Sequence, residues 1–405
     1  MLTDFQAWSR TITRIPGDIL SLSLRSLNRK KLNNLKNSCI PKRFGILYIY
    51  IRNVSVFVKR ELCKMSVTIK DIAKKTGVSV TTVSRALNDF NDVSKETKEL
   101  IKRTAAEMNY TPNAAAQRFQ KKRTDSIGLI LPTFGPRFSD PFFSEFIAGI
   151  GNHAANFGFD LLVSTRAPGS EEIKAYKQMI QSHRVDGLII VRTRRHDERI
   201  ALLKSADFPF VAFGRTEGEM DFPFVDEDSV YGMNLVAEYL HKMNHSRIAC
   251  ITPPSNLMFS KYRVEGLSSK LKSIGVPLLD DLIRIGDLTE RSGYEKASEL
   301  LALSNPPTAI VACNDLMAFG VISAAQDRNL LIGKDLSITG FDDIPMAAYS
   351  HPTLTTVHQP IYQIGAKVCE LLINKIKNLP IQDDHVLLRP ELMIRASSGP
   401  ANLNI

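Results

Sequence analysis

The sequence of 405 residues has little cysteine, a single tryptophan and no apolar run long enough to cross a membrane. Its five cysteines are scattered at Cys39, Cys63, Cys250, Cys313 and Cys369. No two of them have the spacing of metal ligands, and their pattern indicates no disulfide framework. The most apolar stretch, 44–59, is shorter than the ~20 residues of a spanning helix, carries Arg52, and lies too far along the chain for a signal peptide. We therefore expect a cytoplasmic protein.

Sequence motifs of catalysis are also missing. The chain has no P-loop, no Gly-x-Ser-x-Gly, no His-Glu-x-x-His and no Gly-x-Gly-x-x-Gly. His241 and His245 are one helical turn apart, but no third metal ligand accompanies them, which favours a solvated pair near a helix end over a zinc site. The sequence therefore predicts no enzyme, no metal site and no cofactor.

The charge is unevenly distributed along the chain. Residues 1–64 contain 13 Lys and Arg against three Asp and Glu, and residues 65–123 contain 12 against six. The remainder, 124–405, is mildly acidic, with 27 against 33. A basic front on a mildly acidic body is typical of a polyanion-binding head joined to an ordinary globular part.

Residues 1–64 show no sustained helical or strand period, and two interpretations compete for them. They are either a basic arm that adds nonspecific affinity for nucleic acid, or a disordered or read-through segment ahead of a native start at Met65. We expect the second, because a helix-capping signal begins within three residues of Met65.

The segment 65–112 carries the signals of a small three-helix domain. Thr68 begins a capping-box-like signal, "TIKD", and Gly77 provides a turn. Ser79 and Ser94 are placed to cap the second and third helices. The apolar faces of these helices are predicted to contain Ile69, Ile72, Ala73, Val83, Leu87, Thr97, Ile101, Ala105 and Met108.

The spacing between the first two helices has a physical logic. Ala73 lets the second helix cross closely, Gly77 turns the chain, and Val78 and Val83 lock the crossing. This is the arrangement of a helix-turn-helix, whose second helix is free to enter the major groove of DNA. The alternative is a generic small helical domain with solvated lysines.

From residue 124 onward, apolar strand-like runs alternate with amphipathic helical patterns. Such alternation predicts an α/β fold with parallel sheets and helices on both faces, and its length predicts two lobes. Ligands in such folds bind at the carboxyl ends of the strands, which here would face one another across a cleft.

A series of motifs runs in order across 67–398. The head carries "TIKDIAKKTGVSVTTVSRALN" and "VSKETKELIKRTAAEMNYTPNAAAQ", and the body carries "DPFFSEFIAGI", "RVDGLII", "YRVEGL", "ACNDLMAFG", "ITGFDDIP" and "LTTVHQP". In these motifs the chain resembles the LacI/GalR family of bacterial repressors. The resemblance implies a helix-turn-helix head (65–112), a hinge helix or linker (113–123) and a two-lobed body (124–398) like a type I periplasmic binding protein, which holds the effector and dimerises.

The resemblance implies DNA contacts in the head. Val80, Thr81 and Arg85 match positions that read base edges, and Arg85 suits a guanine. The positions that hold phosphates match Thr68, Ser79, Thr82, Asn88, Tyr110 and Asn113. The hinge segment, which contains Ala115 and Phe119, matches a helix that wedges into the minor groove. Phe119 stands where Leu is usual, and packing of Phe119 against the body is the alternative.

The resemblance also implies an effector site. Arg263, Asn314 and Asp342 match the family's polar ligand contacts, and a guanidinium, an amide and a carboxylate together suit a polyhydroxylated ligand. The other expected contacts are Asp140, Phe142, Phe143 and Gln359. Alternatives stay open, since the two phenylalanines can cover a lobe core, and Asp342 and Asp343 can be turn residues.

Leu288 departs from the family's pattern. It stands where several relatives place an aromatic ring that stacks on the ligand. A sugar would then need another platform, for which Phe259 and Phe341 are the candidates.

The sequence thus predicts a ligand-responsive repressor that binds a palindromic operator as a dimer and responds to a small molecule, a sugar by preference. The effector would shift the lobes, separate the hinge segments of the dimer and let the hinge helices melt. A purine or a sugar phosphate as effector, and a periplasmic-type transport receptor as the whole protein, are the alternatives. Because only "GPANLNI" follows "LMIRASS", no leucine heptads for a tetramer are expected.

Overall fold

A computed structural model describes residues 67–110, 123–133, 140–218 and 220–402. The chain forms two compact units, of which the first ends at Asn113 and the second begins at Ala114. The extension 1–64 and nearly all of the segment 113–123, with Asn113, Ala115 and Phe119, lie outside the described residues.

The first unit contains three helices, α1 (Ile69–Thr76), α2 (Val80–Leu87) and α3 (Lys95–Glu107). The Asp71 carboxylate accepts hydrogen bonds from the backbone N–H and the hydroxyl of Thr68, and the first of these is a capping-box bond. Gly77 has a φ of 75°, which is accessible to glycine at little cost. The predicted start and turn of the helix-turn-helix are therefore confirmed.

The apolar faces of these helices meet in one small core. Ile72, Val83 and Ile101 are fully buried at its centre, one from each helix. Ala86 and Thr104 are also buried, although the sequence pattern pointed to Leu87 and Met108, which are only partly buried.

The second unit contains two six-stranded sheets, which define its two lobes. The first-lobe sheet has the order β11-β5-β4-β3-β1-β2 and is parallel throughout. The second-lobe sheet has the order β12-β10-β9-β8-β6-β7, and its edge strand β12 is antiparallel to β10. The strands are β1 Ser126–Pro132, β2 Asp160–Arg166, β3 Gly187–Ile190, β4 Phe210–Phe213, β5 Phe224–Glu227, β6 Ile248–Thr252, β7 Ile283–Ile285, β8 Ala309–Ala312, β9 Ser337–Asp342, β10 Thr355–His358, β11 His385–Leu388 and β12 Glu391–Met393.

Helices cover both sheets, as expected for parallel strands joined by crossovers. They are α4 Pro141–Asn156, α5 Ser170–Gln181, α6 Glu198–Ser205, α7 Ser229–Lys242, α8 Met258–Ser273, α9 Glu290–Leu301, α10 Asp315–Gln326 and α11 Ile361–Ile376. The central strands β1, β3, β8 and β9 are buried along their whole length. None of the described helices is long and apolar enough to span a bilayer.

The chain passes between the lobes three times, after Glu227, after His358 and after Leu388. The first lobe is therefore built from 123–227 together with 361–388, and the second from the remaining body residues. Because every strand that reaches the cleft ends with its carboxyl edge there, side chains just after the strands are brought close together.

Candidate functional site

The second helix of the head presents its N-terminal residues to solvent. Ser79 caps it by accepting a hydrogen bond from the backbone N–H of Thr82 at 3.0 Å. Val80 is 37% exposed, and Thr81 is exposed beside it. The residues predicted to read base edges therefore lie at the end of a helix that can enter a groove.

Arg85 lies on the same helix, one turn after Thr81. Its guanidinium pairs with Asp92 at 2.6 Å and lies 4.7 Å from the centre of the Phe90 ring. These contacts hold the guanidinium near the C-terminal end of the helix without burying it. To bond a guanine, Arg85 has to exchange the Asp92 contact for the base.

The predicted phosphate-contacting residues have different surroundings. Thr68 and Ser79 are exposed caps, and Asn88 donates its amide to the carbonyl of Ser84 at 2.8 Å. Tyr110 packs against the head core. These four side chains are therefore positioned by contacts with the helices of the head.

In the body, a cavity between the lobes brings together every predicted effector contact. These residues are Asp140, Phe142, Phe143, Arg263, Asn314, Asp342 and Gln359, and Leu288 joins them. The cavity is also lined by residues that sequence reasoning missed, namely Val191, Arg192, Thr193, Phe213, Gly214, Asp226 and Glu227.

Arg263 is the centre of the polar wall. It is 4% exposed, and it donates to the carbonyl of Cys313, to Glu227 at 3.2 Å and to Asp342 at 3.4 Å. Phe341 lies beneath its guanidinium, 3.6 Å from ring centre to Cζ. Arg263 is thus positioned from several sides, while its Nε–H is left without a partner among the described residues.

Asp342 and Gln359 form the second part of this wall. The Gln359 amide donates to Oδ1 of Asp342 at 2.7 Å, while Oε1 of Gln359 is buried without a partner among the described residues. Burial raises the pKa of Asp342 to about 7, against the opposing effect of Arg263. The backbone of Asp342 has a positive φ, as a turn residue would, yet its side chain lines the cavity.

Asp226 and Glu227 end strand β5 at the back of the cavity. Asp226 accepts from Arg215 at 2.7 Å, and Glu227 accepts from Arg263 and from the hydroxyl of Ser229. Burial and the neighbouring Glu227 raise the pKa of Asp226. Burial also disfavours the charged form of Glu227, but Arg263 outweighs it and holds the pKa of Glu227 below its usual value.

Two predicted contacts have a structural role as well. Asn314 caps α10 by accepting from Met317, and it donates to the carbonyl of Leu288. Asp140 caps α4 and pairs with Arg192 at 2.5 Å. Both side chains are thereby held in fixed orientations at the cavity wall.

The aromatic wall belongs to the first lobe. The rings of Phe142 and Phe213 stack with 5.8 Å between centroids, and Phe143 lies at an angle to Phe142. Both Phe142 and Phe143 line the cavity while belonging to the lobe core, so their place in the core does not remove them from the predicted site. Of the two candidate platforms, Phe259 lines the cavity and Phe341 does not.

A buried ionic cluster supports the loop that carries Arg192. Arg199 is fully buried, pairs with Glu172 at 2.9 Å and with Asp197 at 2.7 Å, and donates to the carbonyl of Arg192. Arg194 adds a second contact to Glu172. This buried cluster of paired charges thus holds the loop of Arg192 in place at one edge of the cleft.

His245 corrects one expectation. Its ring is buried and bonds the hydroxyls of Thr308 and Ser337 at 2.9 Å. The expected solvated histidine pair is therefore wrong for His245, which instead ties the end of the chain to the second lobe.

The comparisons with known proteins agree with this architecture. Residues 68–113 match the model of "Bacterial regulatory proteins, lacI family", and residues 237–398 match that of a "Periplasmic binding protein-like domain". The HTH-type transcriptional regulator AglR of Rhizobium meliloti (strain 1021) is 36% identical over 342 residues, which are 83% of this chain and 96% of AglR. The chain belongs to the LacI family.

Solved structures support the same membership. The lac repressor dimer bound to operator and the anti-inducer ONPF matches with a TM-score of 0.73 and 26% identity, over 82% of this chain and 99% of that one. The transcriptional regulator CelR in complex with cellobiose matches with a TM-score of 0.64 and 28% identity, over 82% and 99%. The predicted family and fold class are confirmed, and this LacI-family chain is a DNA-binding transcriptional regulator.

Asp226 and Glu227 are the most consequential of the residues that this LacI-family chain adds to the predicted site. They are the last two residues of a four-residue strand inside "FPFVDED". The signal that could have found them is the one that found Asp342, which is an acidic residue directly after an apolar run at a strand end.

Proposed function

We propose that this regulator is a repressor whose affinity for a palindromic operator is controlled by a small molecule in the cleft between its lobes. The observation that supports this proposal is that four polar side chains line one cavity of the body, in a chain that also contains a helix-turn-helix. They are Arg263, Asp342, Gln359 and Asn314. A sugar is the proposed effector class, because these side chains pair with hydroxyls and the structure of the similar CelR is that of its complex with cellobiose.

Sequence reading is assigned to the exposed face of α2. Val80 offers apolar contact, Thr81 a hydroxyl, and Arg85 a fork for O6 and N7 of a guanine. The phosphate contacts are proposed for Thr68, Ser79, Thr82, Asn88, Tyr110 and Asn113, and the minor-groove contacts for Ala115 and Phe119. One such helix covers a half-site, so the operator-bound form is proposed to be a dimer, as in the lac repressor structure.

The proposed control is a population shift between two lobe arrangements. The effector binds one arrangement more tightly, and operator binding favours the other. The linker 113–123 is assigned the task of transmitting the difference, with the head taken as 65–112 and the body as 124–398. Only the difference in effector affinity between the two arrangements can change operator affinity.

A transport receptor is disfavoured by the head, since such a receptor has no use for a helix that reads DNA. We infer that the chain is not an enzyme, in keeping with relatives that are named transcriptional regulators, and that it acts in the cytoplasm, where the DNA is.

The test is an operator-binding experiment with full-length protein. A duplex selected from a random library is shifted by the protein, and saccharides are then added singly. We expect a salt-dependent shift that at least one saccharide changes. The proposal is overturned by a protein that shifts no duplex, or by one whose shift is unaffected by every small molecule that raises its melting temperature.

A further inference from the structure

The cleft has a charge balance that discriminates between the possible effectors. Its described lining contains four carboxyl groups and two guanidinium groups, and neither lysine nor histidine is among them. The charged groups are Asp140, Asp226, Glu227, Asp342, Arg192 and Arg263. The described lining therefore holds more carboxyl than guanidinium groups, although burial favours the neutral forms of Asp226 and Asp342 and Asp226 also pairs with Arg215.

Both guanidinium groups are already occupied. Arg192 pairs with Asp140 at 2.5 Å, and Arg263 contacts Glu227 and Asp342 while a backbone carbonyl takes a further N–H. A phosphate needs several charge-assisted donors around it. In this cleft the one N–H without a partner among the described residues is Nε–H of Arg263. To gain further donors, a phosphate would have to displace carboxylates from the arginines and would then lie beside them.

Two of the helix starts at the cleft are already matched by acidic residues. α4 begins beside Asp140, and α10 begins with the buried Asp315 in its first turn. The positive ends of both helix dipoles are thus met by acidic side chains of the chain itself. An added anion finds no side-chain cation in the described lining that lacks a carboxylate partner, and the starts of α4 and α10 already carry acidic residues.

The polar atoms without partners are of the kind that hydroxyls satisfy. Oε1 of Gln359 is an acceptor, and Nε–H of Arg263 is a donor; both residues are more than nine-tenths buried and both line the cavity. A hydroxyl is at once a donor and an acceptor, so one sugar ring can serve both atoms. The cost of leaving them unpaired makes this pairing selective.

Glu227 is the residue that fixes the sign of the wall. Asp140 and Arg192 neutralise each other, whereas Arg263 is shared between Glu227 and Asp342. Glu227 is 1% exposed, is oriented by Ser229 and stays ionised through its contact with Arg263. We propose that the cleft selects an uncharged polyhydroxylated ligand and rejects its phosphate esters, with Glu227 as the specificity-determining residue. This rests on the proposed effector role of the cleft.

The test uses full-length protein and matched ligand pairs. Cellobiose, maltose, trehalose, sucrose, glucose and ribose are each compared with a phosphate ester, and inorganic phosphate is added alone. Thermal shift identifies binders and calorimetry measures their affinities. We expect at least one neutral saccharide to bind, and its phosphate ester to bind at least 100-fold more weakly. A phosphate ester that binds as tightly as its neutral partner, or a panel in which no neutral saccharide binds, overturns the proposal.

Glu227→Gln keeps the shape of the side chain and removes its charge. We expect Glu227→Gln to reduce the ratio of the affinities for the neutral saccharide and its phosphate ester at least tenfold. Glu290→Gln makes the same charge change at an exposed helix start, and we expect it to leave this ratio unchanged. An unchanged preference in Glu227→Gln overturns the role of Glu227. The wild-type ligand comparison decides the ligand class even if this variant folds poorly. The shift of the operator duplex without ligand is measured in parallel. Loss of that shift contradicts the proposed function. If the protein still binds the operator but prefers phosphate esters to neutral saccharides, only this inference is contradicted.

Discussion

The backbone N–H of Met258 donates to the carbonyl oxygen of Thr193 at 2.9 Å, and this bond joins the second lobe to the first beside the cleft. The adjacent N–H of Arg195 donates to the carbonyl of Asn256, and Lys261 pairs with Glu217 at 2.7 Å. The lobes are thus connected by non-covalent contacts as well as by the three crossovers. A change in lobe arrangement has to break or preserve these contacts as a set.

The Glu217–Lys261 pair supports the arrangement in which the lobes are in contact. We expect Lys261→Ala to weaken effector binding about two- to fivefold, because a partly exposed pair contributes no more than about 1 kcal/mol to the balance between arrangements. Calorimetry with the effector provides the measurement. Lys174→Ala removes a pair within one helix, Lys174–Glu171, and serves as the control. Equal effects of the two substitutions would contradict a role in lobe contact.

Arg85 is predicted to read a guanine. Arg85→Ala should therefore weaken binding to the selected operator by about 1–3 kcal/mol and relax the base preference at one position of each half-site. Lys95, an exposed residue at the start of α3, is the control, and Lys95→Ala should weaken all sequences alike if at all. Mobility shifts against single-base operator variants distinguish the two. Unchanged base preference in Arg85→Ala would show that Arg85 contacts only phosphate or none.

Asp342 predicts a pH dependence of stability. In the folded state its pKa is raised to about 7 by burial, whereas an unfolded aspartate has a pKa near 3.8. Between these two values the folded state binds the extra proton, so the contribution of Asp342 to stability is full below about pH 4 and is lost as the pH rises to 7. The loss is on the order of 2–4 kcal/mol at most.

Asp342→Asn should remove this part of the pH dependence. We expect the difference in unfolding free energy between pH 5 and pH 8 to shrink in urea titrations of the variant. Asp280→Asn, at an exposed position, should retain the wild-type profile. A variant profile that parallels the wild type would mean that Asp342 is ionised throughout this range.

The cluster around Arg199 predicts a large effect on stability. Arg199→Ala leaves the buried carboxylates of Glu172 and Asp197 without their main partner, which should cost about 3–5 kcal/mol. The midpoint of urea unfolding measures it. Arg291→Ala removes an 88% exposed arginine from a surface pair and should cost well under 1 kcal/mol. A similarly small effect of Arg199→Ala would show that the cluster adapts by admitting water.

Local signals accounted for the head and for much of the cleft. Thr68, Gly77 and Ser79 act through neighbours within a few residues, so their caps and turn could be predicted from sequence. Asp342 could be placed at the cleft because it ends a largely apolar strand. These features depend on short-range geometry that the sequence displays directly.

The missing parts depend on contacts between distant segments. Strand β5 has four residues and is stabilised by pairing with β4 and with β11, which lies about 160 residues later. Strand β11 is short, half of its residues are exposed, and charged residues flank it in the sequence, so its pattern does not indicate a strand. Without β5, Asp226 and Glu227 could not be assigned to the cleft, and the acidic character of the wall was not visible.

The three crossings between the lobes also bear on how the protein is made. Helix α11 supplies Ile361, Ile364 and Leu372 to the core of the first lobe, although strands from residue 126 onward form the rest of that core. A chain emerging from the ribosome therefore cannot complete the core of the first lobe until residues 361–388 have emerged as well. The head has its whole core within residues 67–110 and can fold during synthesis long before the sensor that governs it.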